Sequence, residues 1–270
     1  MHADSDRYFL GGGAANAAVH LAAWGVRVAL AGNALGTDRY GQMAWDRLAQ
    51  FDLLDLQLVS RVPAVSTPYC RVLVTPDGEH RIIARGFDQS PRVAVPEVAL
   101  GKADWLLLDT YAGPARLDMA RRARCLETRV AAGQVVRLDD PLLSLSDLIV
   151  NRLPSKWRSD LSQHTADLQA VSGGLVVTTS GAMSVLYDAG KNGSGRCEPR
   201  ANSVRDTLGA GDVFAAGCVY GSLQRWPVKR RVQFALAASA LCVERWGGSS
   251  PTEVATVLDR MERSGDSIAP

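Results

Sequence analysis

Several short runs in this chain are rich in apolar residues and stop on a polar one. Trp105–Leu108 runs into Asp109, Gln134–Leu138 into Asp139 and Asp140, Leu148–Val150 into Asn151, and Leu175–Thr178 into Thr179. A strand with one wet face alternates apolar and polar residues, whereas a run apolar throughout needs cover on both faces. Helical patterns supply that cover at Pro114–Ala131, Gly209–Leu223, Lys229–Arg245 and Thr252–Arg263. The N-terminal part repeats the alternation: helix Ala14–Trp24, strand Val26–Ala31, helix Tyr40–Gln50, strand Leu56–Val59. Ser184–Tyr187 reads as a further strand. This order predicts a three-layer α/β/α domain around a central, mostly parallel sheet. Ligands of such sheets bind beyond the carboxyl ends of the strands, where Asp109, Asp139, Asn151 and Thr179 fall.

One segment breaks the rhythm. Tyr69–Val74 and His80–Arg85 are strand-like and flank Thr75-Pro76-Asp77-Gly78, whose proline presets φ and whose glycine accepts a positive one. This is a hairpin, and we read it as part of a small β lid. The expectation is one domain over residues 1–270, with lid elements at about 5–12 and 67–87. At 47% hydrophobic and 21% charged, the 270 residues can bury the core this needs. Against 28 acidic residues stand 30 basic ones, so no strong field recruits nucleic acid or a membrane surface. Tyr8–Val26 holds no Asp, Glu, Lys or Arg, yet Gly11, Gly12, Gly13, Asn16 and His20 make it a buried loop and helix rather than a membrane span. His20 reads as a packed core residue. The five cysteines are scattered without a CxxC pair, which argues against a disulfide framework or zinc site and for a reducing cytoplasm.

Two strings carry chemistry. Asp206-Thr207-Leu208-Gly209-Ala210-Gly211-Asp212 leads into the helix Gly209–Leu223. Small residues at a helix start leave backbone N–H groups pointing at one spot, and the helix dipole favours an anion there. A carboxylate in that turn can take a proton from a hydroxyl while the amides hold a phosphoryl group. Asp212 alone would pass for an ordinary first-turn aspartate; the whole string favours catalysis. The second string, Gly11-Gly12-Gly13-Ala14-Ala15-Asn16, has Asn16 where a dinucleotide fingerprint needs its third glycine, so a nicotinamide-binding oxidoreductase is a poor reading. It suits close approach to a polyol, or a tight turn into a buried helix.

Together the strings resemble the ribokinase-like sugar kinases, the PfkB carbohydrate kinase family. Gly11–Ala18, Gly25 and Gly32–Gly41 look like its first signature and Asp206–Gly217 like its second; Thr179-Ser180-Gly181 looks like its nucleotide-side segment and Gly247–Thr252 like its ending. The resemblance implies ATP-dependent phosphorylation of a small sugar or sugar-like hydroxyl with Mg²⁺, and a monovalent cation near Asp206. By it, Asp212 is the base and the amides of Gly209, Ala210 and Gly211 hold the transferring group. Gly12, Gly13 and Asn16 touch substrate, while Thr179, Gly181 and Asn151 serve the nucleotide. It also implies a homodimer paired through the lid. The chain departs from the family in three places. Family members carry a strand with a GDxxxD-like segment before the glycine loop; here only Met1–Leu10 precede it, and the expectation is a longer natural chain in which that strand restores activity and stability. In the family's NxxE segment, Asn151-Arg152-Leu153-Pro154 puts proline in place of the carboxylate. Ser184 and Cys218 are mild departures. The competing reading is a truncated or catalytically weak kinase-fold protein that binds nucleotide or sugar without efficient turnover.

Overall fold

A computed structural model describes residues 7–74, 80–113, 115–153, 160–180, 184–199 and 201–263. The Thr75–Gly78 turn, Pro154, Gly181 and the chain termini lie outside them. Along the chain run α1 (Gly13–Ala23), β1 (Val28–Ala29), α2 (Arg39–Leu48), β2 (Leu54–Asp55), β3 (Tyr69–Val74), β4 (His80–Arg85) and α3 (Glu97–Gly101). Then follow β5 (Trp105–Leu108), α4 (Ala115–Cys125), β6 (Arg129–Gly133), β7 (Leu148–Arg152), α5 (Leu161–Ser172) and β8 (Leu175–Thr179). The last third holds β9 (Val185–Asp188), β10 (Ser194–Cys197), α6 (Ala210–Leu223), α7 (Val228–Val243) and α8 (Val254–Arg263).

The central sheet has six strands in the order β10-β9-β8-β7-β6-β5. β5 to β8 are parallel, and β9 and β10 add an antiparallel edge. Successive strand residues point to opposite faces, and the two cores divide accordingly. Ala131, Leu148, Leu175 and Val177 pack with Leu21 of α1, Trp24 just after it, Phe214 of α6, Phe234 of α7 and Val257 of α8. Val130, Ala132, Ile149 and Val176 pack with Ala120 and Ala123 of α4 and Leu168 of α5. These are the three expected layers. A third cluster joins Ala18, Val19 and Ala22 to Leu30, Leu48 and Leu54 around the separate parallel pair β1–β2. α1 is therefore covered on both flanks, which is why its sequence carries no charge.

Three sequence expectations shift. α4 stops at Cys125, and the alanine-rich stretch assigned to its end is β6: Glu127 takes φ 60° and Thr128 donates its hydroxyl to the Leu100 carbonyl, turning the chain into the sheet. The strand expected at Gln134–Leu138 is not in the sheet, because Gln134 at φ 56° turns the chain away. The short strand near residue 56 sits two residues earlier, as β2. α3 and α5 have no counterpart in the sequence reading, and β10 takes up part of Lys191–Arg196, a Gly-rich polar stretch that reads as an exposed loop. His20 is buried as expected; burial first, and Arg245 after it, pull its imidazole down to about 4, although its bond to the Asn16 carbonyl opposes them.

The β3–β4 hairpin stands apart as a two-stranded sheet. Its base is stitched to residues 33–41. Asp38 caps α2 through Gly41 N–H (2.8 Å) and also accepts from Thr67 N–H and Thr67 Oγ1, both at 2.7 Å. Ser90 Oγ donates to the Ala34 carbonyl, and Asn33 Nδ2 to Phe87.

α6 and α7 approach closely at Gly217, where an added Cβ would lie 2.6 Å from Ala235 Cα. Gly217→Val is expected to lower the unfolding free energy by about 1–3 kcal/mol, as overpacking does, which urea denaturation followed by circular dichroism would read as a lower midpoint.

Candidate active site

Two helix N-termini meet beyond the carboxyl ends of the strands. α6 begins after Gly209, whose φ of +77° is left-handed. The first helical bond there runs from Val213 N–H to the Gly209 carbonyl (2.9 Å), so the N–H groups of Ala210, Gly211 and Asp212 precede the helical ladder. A Cβ added at Gly211 meets nothing within 4 Å, so open space lies over this turn. Gly209 itself packs against Gly248, where a side chain on either would collide with the other's backbone. Asp206 fixes this contact by accepting from Leu208 N–H (2.9 Å) and from Gly247 N–H (3.0 Å). Among the described residues no group of three or more His, Cys, Asp or Glu side chains gathers as a metal cage.

α1 starts after Gly12, at φ +99°. Its Ala14 N–H donates to Asp109 Oδ2 (3.1 Å), placing that carboxylate on the positive end of the helix. Asp109 Oδ1 accepts from Tyr111 N–H (2.9 Å) and the Thr110 hydroxyl (3.2 Å). One turn into α1, Asn16 Nδ2 donates to Asp212 Oδ2 (2.9 Å). Asn16 is only 7% exposed, and its Oδ1 has no partner among the described residues. Gly13 separates the two carboxylates: a Cβ there would lie 2.8 Å from Asp109 Oδ2 and 2.9 Å from Asp212 Oδ1. Burial pushes the Asp212 carboxyl up to about 6; the Asn16 bond opposes this and the Asp109 charge adds to it.

Gly12, Gly13, Asn16, Gly209, Ala210, Gly211 and Asp212 thus come together. Asp109 is the residue the motifs missed, and its signal is its place after an unbroken apolar strand. Thr179 and Asn151 lie on adjoining strands, where Asn151 pairs with Thr178 in register. Thr179 Oγ1 donates to the Asn151 carbonyl (3.1 Å). The Asn151 side chain is fully buried and spends itself on Val135, accepting from its N–H (2.9 Å) and donating to its carbonyl (2.8 Å). It braces the exit from β6 and is not exposed to the cleft. Ser180, nearly buried after β8, has a hydroxyl without a partner among the described residues.

The model of the pfkB family carbohydrate kinases matches residues 1–255. The ribokinase of Haemophilus influenzae is 27% identical, with 92% of this chain and 86% of that protein aligned. Among solved structures, Arabidopsis thaliana ribokinase complexed with ribose and ATP superposes with a TM-score of 0.81 at 21% identity, covering 97% of this chain and 90% of that one. An E. coli protein in complex with ATP and Mg²⁺ superposes at 0.75 and 19% identity, covering 97% and 93%.

The raised Asp212 carboxyl has a thermodynamic corollary. A folded pKa above the unfolded value favours the native state below about 4, and that contribution is lost as pH rises through about 6. Asp212→Asn keeps an acceptor for Asn16 and removes the buried charge. Its melting temperature should match or exceed the parent's at pH 8, with the gap closing toward pH 4, as differential scanning fluorimetry across pH would record.

Proposed function

The chain belongs to the pfkB family of carbohydrate kinases, and from that membership we propose that it transfers the γ-phosphoryl group of ATP to a hydroxyl of a small sugar or sugar-like acceptor. One observation carries this reading. A carboxylate whose proton affinity is raised to about 6 sits beside the unladdered amides of α6, with Asn16 Oδ1 buried and unpartnered next to it. An unpaired buried carbonyl costs about 1–3 kcal/mol, which an acceptor hydroxyl would relieve.

In this reading Gly12, Gly13 and Asn16 contact the sugar, and Asp109 accepts from a second hydroxyl. Asp212 takes the proton of the attacking hydroxyl as its oxygen bonds to the γ-phosphorus. The bond from that phosphorus to the β–γ bridging oxygen breaks and ADP leaves. The amides of Gly209, Ala210 and Gly211 hold the transferring group, which suits a reaction that needs positioning and charge stabilisation more than covalent help. Thr179 serves the nucleotide side, with Asn151 holding it from behind through the bond between them; Gly181 belongs with them by motif. Mg²⁺ is assigned to the nucleotide rather than to a protein cage, a choice supported by the relatives solved with ATP and with Mg²⁺. The β3–β4 hairpin acts as a lid over the acceptor. No helix among the described residues is long and apolar enough to cross a membrane, and the free cysteines fit a reducing cytoplasm. The competing reading, a binder without turnover, leaves the base carboxylate beside the free amides without a purpose.

The lid also supplies a dimer surface. Its register puts Cys70 opposite Ala84, Val72 opposite Ile82 and Val74 opposite His80, a face without Asp, Glu, Lys or Arg and with Ile82 at 48% exposure. Two copies joined there would hide apolar area and protect an edge that a lone hairpin leaves open. Light scattering at micromolar concentration should give a dimer, and Ile82→Asp a monomer; a monomeric parent overturns the assembly.

For the chemistry, Asp212→Asn should cost about 10²–10⁴-fold in turnover with nucleotide binding retained by calorimetry. Because the base must be unprotonated, kcat/KM of the parent should climb with pH and level off above about 6. A flat profile from pH 5 to 8, or an active Asn variant, removes Asp212 from the role.

A further inference from the structure

Glu244 stands at the wrong end of a helix for its charge. It caps the C-terminus of α7, where the last carbonyls gather negative charge and an acidic side chain is disfavoured. Two sets of partners hold it there. Arg260 of α8 donates from Nη1 to Oε1 (2.8 Å) and from Nη2 to Oε2 (3.0 Å). Asn202 N–H donates to Oε1 (2.7 Å), and Ser203 N–H also bonds to the carboxylate. Among the described residues this ion pair is the best shielded from water, with 16% of the Glu244 and 17% of the Arg260 side chain exposed. The Arg260 bonds, and after them the two N–H groups, hold the Glu244 carboxyl below its usual range against the opposing effect of burial.

The segment so held leads into the amide cradle. Val243, the last residue of α7, accepts at its carbonyl from Arg205 N–H (2.7 Å) and Asp206 N–H (3.2 Å). Asp206 in turn accepts from Leu208 N–H and Gly247 N–H, and Gly248 backs Gly209 at the start of α6. The end of α7 thus fixes Asn202–Asp206 on one side of the cradle and leads into Gly247–Gly248 on the other. A pair that only joined α7 to α8 would have no use for the Asn202 N–H. An anchor that only accepted from Asn202 would leave a bare carboxylate at a helix C-terminus. Charge balance and backbone bond together serve one purpose, the placing of this segment.

We propose that Glu244 and Arg260 are positioning residues for phosphoryl transfer. Arg260 orients the Glu244 carboxylate, which holds Asn202–Asp206 and, through Asp206, the amides of Gly209, Ala210 and Gly211 against the transferring group. The inference rests on the kinase reading and adds to it two residues that lie outside both motif strings. Their part is geometric: a transition state held by preformed amides loses rate steeply when those amides shift. Gly12, Gly13 and Asn16, which contact the sugar in that reading, belong to the start of α1. Loss of the pair is therefore expected in kcat rather than in the acceptor KM.

The experiment uses the full chain, ribose and fructose as acceptors, and calorimetry with ADP and a non-hydrolysable ATP analogue. Glu244→Gln and Arg260→Gln should each lower kcat about 10-fold to 100-fold, with acceptor KM little moved, and Arg260→Lys should recover part of the loss. The swapped pair, Glu244→Arg with Arg260→Glu, separates positioning from stability. It restores the ion pair and puts a cation at the helix C-terminus, so the melting temperature should return to the parent's. A guanidinium cannot accept from Asn202 N–H, so kcat should stay low. A kcat that survives loss of the pair, or that follows melting temperature across the variants, overturns the proposal and leaves the kinase reading standing. The calorimetry needs no acceptor: the analogue brings a γ-phosphoryl group to the cradle and ADP does not, so the parent should prefer the analogue and the Gln variants should lose that preference. A parent that phosphorylates neither sugar counts against the kinase reading alone, and the preference still decides the proposal. Its loss in the Gln variants sustains the proposal; its survival there, or its absence from the parent, overturns it.

Discussion

A hydrogen bond from Asn16 Nδ2 to Asp212 Oδ2 joins side chains 196 residues apart and locks the starts of α1 and α6 against each other. Much of the site depends on that contact. Gly13 must lack a side chain because Asp109 and Asp212 fill the space on either side of it. Gly209 and Gly248 must lack one because their backbones touch and the Asn16 amide lies against both. The glycines of both motifs are thus explained by one packing problem: bringing two helix ends and two carboxylates together around a single asparagine. The same crowding removes water from Asp212, and the loss of hydration raises its proton affinity.

The sequence made the layers legible because buried parallel strands are apolar on both faces and finish on polar residues. β5, β7 and β8 follow that rule, and so does the position of Asp109. It failed where composition misleads. Val130-Ala131-Ala132 is as acceptable to a helix as to a strand, and only its place between β5 and β7 makes it β6. β10 reads as a polar loop because it pairs on one side only, with β9, and needs little apolar cover. α5 has a weak pattern: of its residues Leu161, Thr165 and Leu168 are buried, a narrow stripe with a threonine in it.

Within the site, the sequence located both strings by their residue types but could not reveal which atoms were already in use. Asn151 looks available in the one-dimensional chain, yet its amide is consumed by Val135 at both ends. Asp206 likewise joins two loops 41 residues apart rather than facing outward. Asn16 is the reverse case: a side chain buried in a helix, with its Oδ1 unpartnered among the described residues. Such distinctions depend on distances between segments remote in sequence, which spacing alone does not encode.

The base of the β3–β4 hairpin is held by polar contacts: Asp38 to Thr67 and Gly41, Ser90 to Ala34, Asn33 to Phe87. Heat-capacity change on a conformational transition scales with apolar surface exposed. A hinge secured by hydrogen bonds exposes little such surface when it flexes. Were the hairpin to close as the proposed lid, its movement would follow a nearly straight van 't Hoff line, while the apolar cores of the three layers set a curved temperature dependence for unfolding.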